Sequence, residues 1–436
     1  MVPRCCRGGK VLNLVHRLYR KLRNMVAPVP GNEQSVTDAV RRPVDAEMIR
    51  LFNYMASRYE RYTLATTVKS RPYLAVIDPS SFCNLQCPIC PTGTFNASIG
   101  QSGDSGVQDH RALMSPDLFD CLIEDLGPYL YQIDFYNWGE PMLNKNLPQF
   151  VAKAKRYGIW TSMHTNLSHK LTDEALEELL CSGIDYIGVS LDGFTQETYA
   201  TYRRKGNFEL AKGNLLKLKE IRDRLGLHTL LNWLFLVFSF NEHEMETIKE
   251  FCDKNGLGFE RREASLGDHV DWLPSYRKSQ VGTPGAGTAM YVKPASTPRP
   301  CDFHYGFATV NPDGSLSPCC GTMPLVDLLG KIVPGEVRFQ DVWNSELMQV
   351  SRSYANPTRA DSPSGLKTLC ANCPSGDGLR DLYAFPLWRR LNMLRERLGE
   401  PDAVLVRAME LFDSPSEFVP YYVESVIPYK ERIMGE

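Results

Sequence analysis

From residue 73 onward, short runs rich in β-branched and aromatic residues alternate with stretches whose apolar positions recur every three to four residues. This is the pattern of repeated strand and helix units around a parallel sheet. The expected strands cover residues 73–78, 132–136, 160–164, 186–191, 229–238 and 258–262. Helical periods fill the intervals at 116–126, 147–157, 173–181, 208–225 and 243–255. Six such units in succession predict an α/β fold closing as a partial (β/α)6 TIM-like barrel. An open doubly wound sheet is the alternative that periodicity does not exclude. In either architecture chemistry falls at the C-terminal ends of the strands, where the connecting loops converge.

The flanks read differently. Residues 1–70 form a helical N-terminal extension, 71–262 the core, 263–300 a Pro/Gly-rich linker, 301–378 a small cysteine-bearing domain and 379–436 a helical C-terminal tail. In the extension, Val11, Val15, Leu18 and Leu22 share one helical face among Arg17, Arg20, Lys21 and Arg23. Such a face suits weak contact of residues 10–25 with an anionic membrane surface as well as packing on the body of the protein. A second helical stretch spans 45–62, and the tail carries helical runs at 387–398 and 402–411. Residues 94–110, rich in Gly, Ser and Asn, are expected to be a mobile excursion in the first loop.

Composition narrows the partners. Lys+Arg 49 against Asp+Glu 51 leaves no cationic excess for nucleic acid. The longest apolar run, 229–238, is too short to span a bilayer. With no secretory pattern in residues 1–25, a cytoplasmic location is expected. The 13 cysteines are an odd number and most fall in two groups, which in an unexported protein points to metal or redox chemistry before disulfides.

The first group is Cys83-Asn-Leu-Gln-Cys87-Pro-Ile-Cys90, directly after the first expected strand. Three close thiolates can hold a [4Fe-4S] cluster through three irons and leave the fourth iron open to a small molecule. A structural zinc site would need a fourth ligand, and the local alternatives are His110 and Cys121.

This loop resembles the signature of the radical S-adenosylmethionine (radical SAM) superfamily, and further motifs agree in order along the chain. Trp138-Gly139-Glu140-Pro141 follows the second strand, where the family has a Gly-Glu-Pro element at the methionine ammonium; Trp138 stands where a second Gly is common. His164-Thr165-Asn166 is similar to the family's Thr-Asn-Gly turn, with Leu167 in place of the Gly, and Ser190-Leu191-Asp192-Gly193 ends the fourth strand. The run from Glu197 to Phe208 matches a family stretch whose Arg pairs with the methionine carboxylate, here Arg203 in preference to Arg204. The resemblance thus implies cofactor binding by Gly139, Glu140, Asn166, Ser190 and Arg203.

The second group is Cys301, the adjacent Cys319 and Cys320, and Cys370-Ala-Asn-Cys373. With the Asp313-Gly314 turn and the Trp343-Asn344-Ser345 helix start between them, it resembles the single-cluster SPASM or twitch extension of radical enzymes. The implied ligands of a second [4Fe-4S] cluster are Cys301, Cys319, Cys370 and Cys373. Cys320 is the alternative to Cys319, since neighbours on a strand point oppositely; zinc is the competing metal for four thiolates. Cys121, Cys181 and Cys252 lie in helical runs and read as core thiols, while Cys5 and Cys6 stand near the N-terminus.

The resemblance implies reductive cleavage of S-adenosylmethionine and hydrogen abstraction, fed by an electron donor such as flavodoxin or ferredoxin. An oxidoreductase-like dehydrogenation or an epimerisation of a carbohydrate-like or other small metabolite is the preferred expectation. A maturase of ribosomal peptides is the rival, disfavoured by the helical rather than β-rich extension. A plain electron-transfer or zinc protein is the third reading.

Overall fold

The computed structural model describes residues 45–98, 111–280 apart from 265, 267 and 268, 301–322, 328–354, the single positions 366, 368 and 370, and 385–434. The amphipathic run at 11–25, with Cys5 and Cys6, lies outside the described residues, as do most of the 263–300 linker and Cys373.

The core strands are β1 (Leu74–Ile77), β2 (Gln132–Asp134), β3 (Trp160–Thr165), β4 (Tyr186–Ser190), β5 (Leu230–Val237) and β6 (Gly258–Glu263). Between them run the helices Pro116–Leu126, Leu147–Arg156, Asp173–Cys181, Phe208–Leu225 and Met245–Asn255. Local chemistry sets their ends. Ser115, Thr172 and Asn207 accept from the backbone N–H three residues on, and Gly226 and Gly256 close two helices in the left-handed conformation. Two elements exceed expectation. A helix, Pro91–Ser98, runs into the start of the supposed 94–110 excursion, and a further helix, Gln196–Tyr202, precedes the long Phe208–Leu225.

The strand order is β6-β5-β4-β3-β2-β1-β7-β8-β9, with β1 to β6 parallel and consecutive. A doubly wound sheet would reverse direction at a switch point; this one does not. The sheet also curls. Although β4 and β5 separate them, the Arg262 guanidinium of β6 lies 3.4 Å from both ring nitrogens of His164 on β3. The architecture is therefore the open (β/α)6 barrel. Alternation along the strands gives it two faces: Ile133, Met163, Ile187, Val189, Trp233 and Phe235 pack outward against the helices, while Asp134, Ser162, His164, Tyr186, Glu260 and Arg262 interact with one another across the lumen.

The cysteine-bearing region is not set apart from this sheet. β7 (Phe307–Val310) pairs in parallel with β1, and β8 (Ser315–Ser317) and β9 (Gly330–Lys331) continue it antiparallel. The sequence marks a break at 301 because composition changes there, whereas backbone pairing ignores composition.

A second apolar core joins the helix Ala46–Tyr62 to the C-terminal helices: Tyr54 meets Phe412, Tyr62 meets Phe418, and Tyr59 stacks on Tyr422. Of the three helical thiols, Cys252 is buried and Cys121 half-buried, but Cys181 is exposed. Its helix buries Leu176, Leu179 and Leu180, and one residue further turns Cys181 about 100° off that face.

Trp233 is fully buried between β5 and the helices, and its indole N–H donates to Leu191 O at 2.6 Å. Trp233→Ala is expected to cost about 3–5 kcal/mol of stability, read as a lowered denaturation midpoint.

Candidate functional site

The loop after β1 carries Cys83, Cys87 and Cys90 at the C-terminal end of the sheet, against Leu85, Tyr202, Phe238, Phe240 and Trp272. This apolar wall desolvates the thiols. Burial pushes Cys83 up to about 12, with Glu140, Cys87 and Cys90 adding to it. Burial likewise pushes Cys87 up to about 11 against the pull of the Arg203 guanidinium. Buried, mutually repelling thiolates persist only with a bound cation to hold them. Among the described residues no three His, Cys, Asp or Glu side chains converge on a single-ion site. A [4Fe-4S] cluster does not ask them to, because each thiolate binds a different iron. The donor set fits that group.

Arg203, at the C-terminal end of the helix Gln196–Tyr202, is brought beside Cys87. It is held there by the fully buried Asp192, whose Oδ2 accepts from Nε at 2.5 Å and whose Oδ1 accepts from Leu236 N at 2.7 Å. Arg204 is exposed, so the inward cation of the pair is Arg203.

Asn166 follows β3 and turns its Nδ2 toward Cys83 Sγ at 3.5 Å and Asn84 Oδ1 at 3.0 Å. Leu167, where the related turn has Gly, adopts φ 47° and is fully buried. That left-handed residue is stabilised by burial and by Asn214, which donates to its carbonyl at 2.8 Å.

Glu140 is buried and already accepts three hydrogen bonds: from Met142 N at 3.1 Å, from the Thr165 hydroxyl and from Asn166 N at 2.8 Å. Its carboxylate thus ties the β2 loop to the β3 loop, with Oε2 the less occupied oxygen. Burial raises its pKa, opposed by these donors. Gly139 allows the contact beneath: a Cβ there would lie 1.6 Å from Ser80 O. Ser190 ends β4 half-buried, and no hydrogen bond within the described residues engages its hydroxyl.

In the second group, Cys301, Cys319 and Cys370 are brought together, and Cys320 packs against the same apolar core as Cys301 and Cys319. Burial pushes the Cys301 thiol up, with Cys319 and Cys370 contributing. This donor set also suits a cluster rather than free thiols. Cys319 Sγ lies 3.4 Å from Thr322 Oγ1, and His304 Nε2 lies 3.3 Å from Cys370 Sγ. Burial and the Arg352 guanidinium push the His304 ring down to about 3, so it is neutral. The two groups are linked: Trp138 Nε1 donates to Thr322 O at 2.7 Å.

Sequence reasoning missed Asp78, His304 and Arg352. Asp78 was signalled by a carboxylate closing an otherwise apolar strand, and His304 by its spacing three residues after Cys301. Arg352 left no signal, since its helix looks amphipathic and ordinary.

The Radical SAM superfamily model matches residues 77–252, and the SPASM iron-sulfur cluster-binding domain matches residues 301–374. Fe-coproporphyrin III synthase of Methanosarcina barkeri is 28% identical over 38% of this chain, a match that spans only 38% of that relative's length. PqqA peptide cyclase of Granulibacter bethesdensis is 26% identical over 60% of this chain and 71% of its own. Among solved structures, Streptococcus suis SuiB bound to precursor peptide SuiA aligns over 79% of each chain at 15% identity, with a TM-score of 0.49.

Two outcomes test the geometry. Gly139→Ala forces the Ser80 carbonyl aside, so iron bound at the first site and the denaturation midpoint should both fall, by more than ~1 kcal/mol in stability; unchanged values would show that the loops yield freely. Asp78, which accepts from Trp138 N at 2.9 Å and Gly139 N at 3.3 Å, is raised to about 7 by burial. Its folded pKa lies above the unfolded value, so its stabilising contribution is complete below about pH 4 and lost as pH rises through about 7. Relative to the parent chain, Asp78→Asn should therefore be more favourable at about pH 8 than at about pH 5 in denaturant titrations.

Proposed function

We propose that this chain, which belongs to the radical SAM superfamily and carries an iron-sulfur SPASM domain, is a peptide-modifying enzyme that removes hydrogen from an unactivated C–H bond of its substrate. A [4Fe-4S] cluster on Cys83, Cys87 and Cys90, when bound, supplies one-electron reductive cleavage of S-adenosylmethionine to a 5′-deoxyadenosyl radical. The chain's own residues do the holding. Arg203, with Nε fixed by Asp192, presents its remaining donors to a carboxylate. The Ser190 hydroxyl is available for a polar contact, and Asn166 steers Cys83.

Glu140 acts through position and charge. Its three accepted bonds hold the β2 and β3 loops in register, and its negative charge favours an ammonium group at their rim. The aromatic wall of Tyr202, Phe238, Phe240 and Trp272 excludes water, which protects a carbon radical from quenching. Cys301, Cys319, Cys370 and Cys373 are the ligands proposed for the auxiliary cluster, and a flavodoxin or ferredoxin is the proposed electron donor. No helix among the described residues is long and apolar enough to cross a membrane.

The observation that carries the peptide reading over a small metabolite is coverage. The PqqA peptide cyclase relatives align over up to 70% of this chain and 80% of their own length. The Fe-coproporphyrin III synthase relative matches 165 residues only. Of the extension read as helical, Ala46–Tyr62 forms a helix, and residues 1–44 lie outside the described part.

Anaerobically reconstituted protein with dithionite and S-adenosylmethionine should release 5′-deoxyadenosine, and Cys87→Ala should reduce it to background. Product unchanged in that variant would refute the site. With the peptide encoded by a short neighbouring reading frame, mass spectrometry should show loss of two hydrogens; a modified small metabolite and an untouched peptide would refute the substrate class.

A further inference from the structure

We infer that His304 and Arg352 raise the reduction potential of the auxiliary iron-sulfur centre, the first through a hydrogen bond to the sulfur of Cys370 and the second as a buried cation with no ion-pair partner among the described residues. This deepens the reading above and rests on the SPASM domain holding its cluster.

His304 is buried and clamped by its backbone on both sides: its N–H donates to Cys301 O at 3.1 Å, and its carbonyl accepts from Arg352 Nε at 2.8 Å. The ring is thereby pinned with Nε2 at 3.3 Å from Cys370 Sγ. An iron-bound thiolate can only accept, so at 3.3 Å the ring donates its Nε2 proton to sulfur. Nδ1, buried without a partner among the described residues, keeps the lone pair, which is the cheaper atom to leave unsatisfied.

Arg352 has 0% exposure, yet among the described residues none of its hydrogen bonds goes to a carboxylate. Nε serves His304 O, Nη1 serves Thr66 O at 3.0 Å and Asn344 Oδ1 at 3.2 Å, and Nη2 serves Trp343 O at 2.8 Å. The guanidinium also lies 5.0 Å from the Trp343 ring centroid. The groups felt through space are the Tyr305 phenol and then the Glu60 carboxylate, whose oxygens accept from Lys69 N, Ser70 N and Ser70 Oγ. Asp302, beside Cys301, is neutralised by Arg61 at 2.8 Å. A cation so deep is costly unless a negative group stands nearby.

A thiolate-bound cluster is such a group, in addition to Glu60. It carries net negative charge, and reduction adds one more. Hydrogen bonds to the ligating sulfurs and nearby positive charge both favour the more negative state. The two residues therefore favour the reduced form of the centre, the direction an electron-accepting role requires.

The test is redox potentiometry of the anaerobic holoenzyme followed by electron paramagnetic resonance. The auxiliary signal is recognised because the first cluster alone responds to S-adenosylmethionine. His304→Leu should lower the auxiliary midpoint by about tenfold in the reduction equilibrium, about 59 mV for one electron. His304→Gln, whose amide can still donate, should stay near the parent value, and the first cluster should not move. Equal midpoints in all three proteins, or Gln shifting as far as Leu, overturn the inference while leaving 5′-deoxyadenosine formation as the separate check on the radical reading. If His304→Leu loses its cluster, Arg352→Lys against Arg352→Gln decides: a lower midpoint in Gln alone supports the inference, and equal midpoints overturn it. A parent protein with one cluster only overturns it together with the auxiliary assignment.

Discussion

Strand β1 pairs in parallel on both sides, with β2 through Leu74–Gln132 and with β7 through Leu74–Phe307. That double pairing is the constraint on which the remaining geometry depends. It puts the first cysteine loop at the centre of a nine-stranded sheet rather than at its edge, with the barrel strands on one flank and the cysteine-bearing hairpin on the other. Because parallel strands share a direction, the loops after β1, β2, β3 and β4 emerge on one face, and Cys83, Glu140, Asn166 and Asp192 meet there. A slip of one residue at either pairing would turn alternate side chains to the wrong face.

The polar cross-links between those loops do the fine positioning. Asp78 holds the amides of Trp138 and Gly139, Glu140 holds Thr165 and Asn166, and Asp192 holds Arg203. Each is a buried carboxyl group held by fixed donors, so the loops cannot drift independently without giving up those bonds. Trp138 extends this network to the second cysteine group through Thr322. A bulky residue in place of a common Gly is therefore a bridge between the two centres in this chain, and the backbone closeness required at this turn rests on Gly139 alone of the pair.

Much of the barrel was readable from periodicity, because a strand buried on both sides and a helix with one apolar face impose different spacings on any sequence that forms them. The helices 116–126, 173–181 and 208–225 match residue for residue. The exceptions have physical causes. Pro91–Ser98 is short and nearly without an apolar face, so Gly, Ser and Asn content pointed to a loop. Cys181 lies one residue past its helix's buried stripe, and apolar neighbours in sequence were not neighbours in space.

Residue type and short-range spacing were enough to mark two cysteine groups and the loops that follow the strands, since both are local. Leu167 at φ 47° is a clear instance of a local demand met by an unusual residue. Long-range placement lay beyond such reading. Arg203 beside Cys87, His304 beside Cys370 and Arg352 on the His304 carbonyl depend on segments 48 to 116 residues apart meeting. Burial and electrostatic partnership are properties of that meeting, and one-dimensional order carries no record of which distant neighbour will arrive.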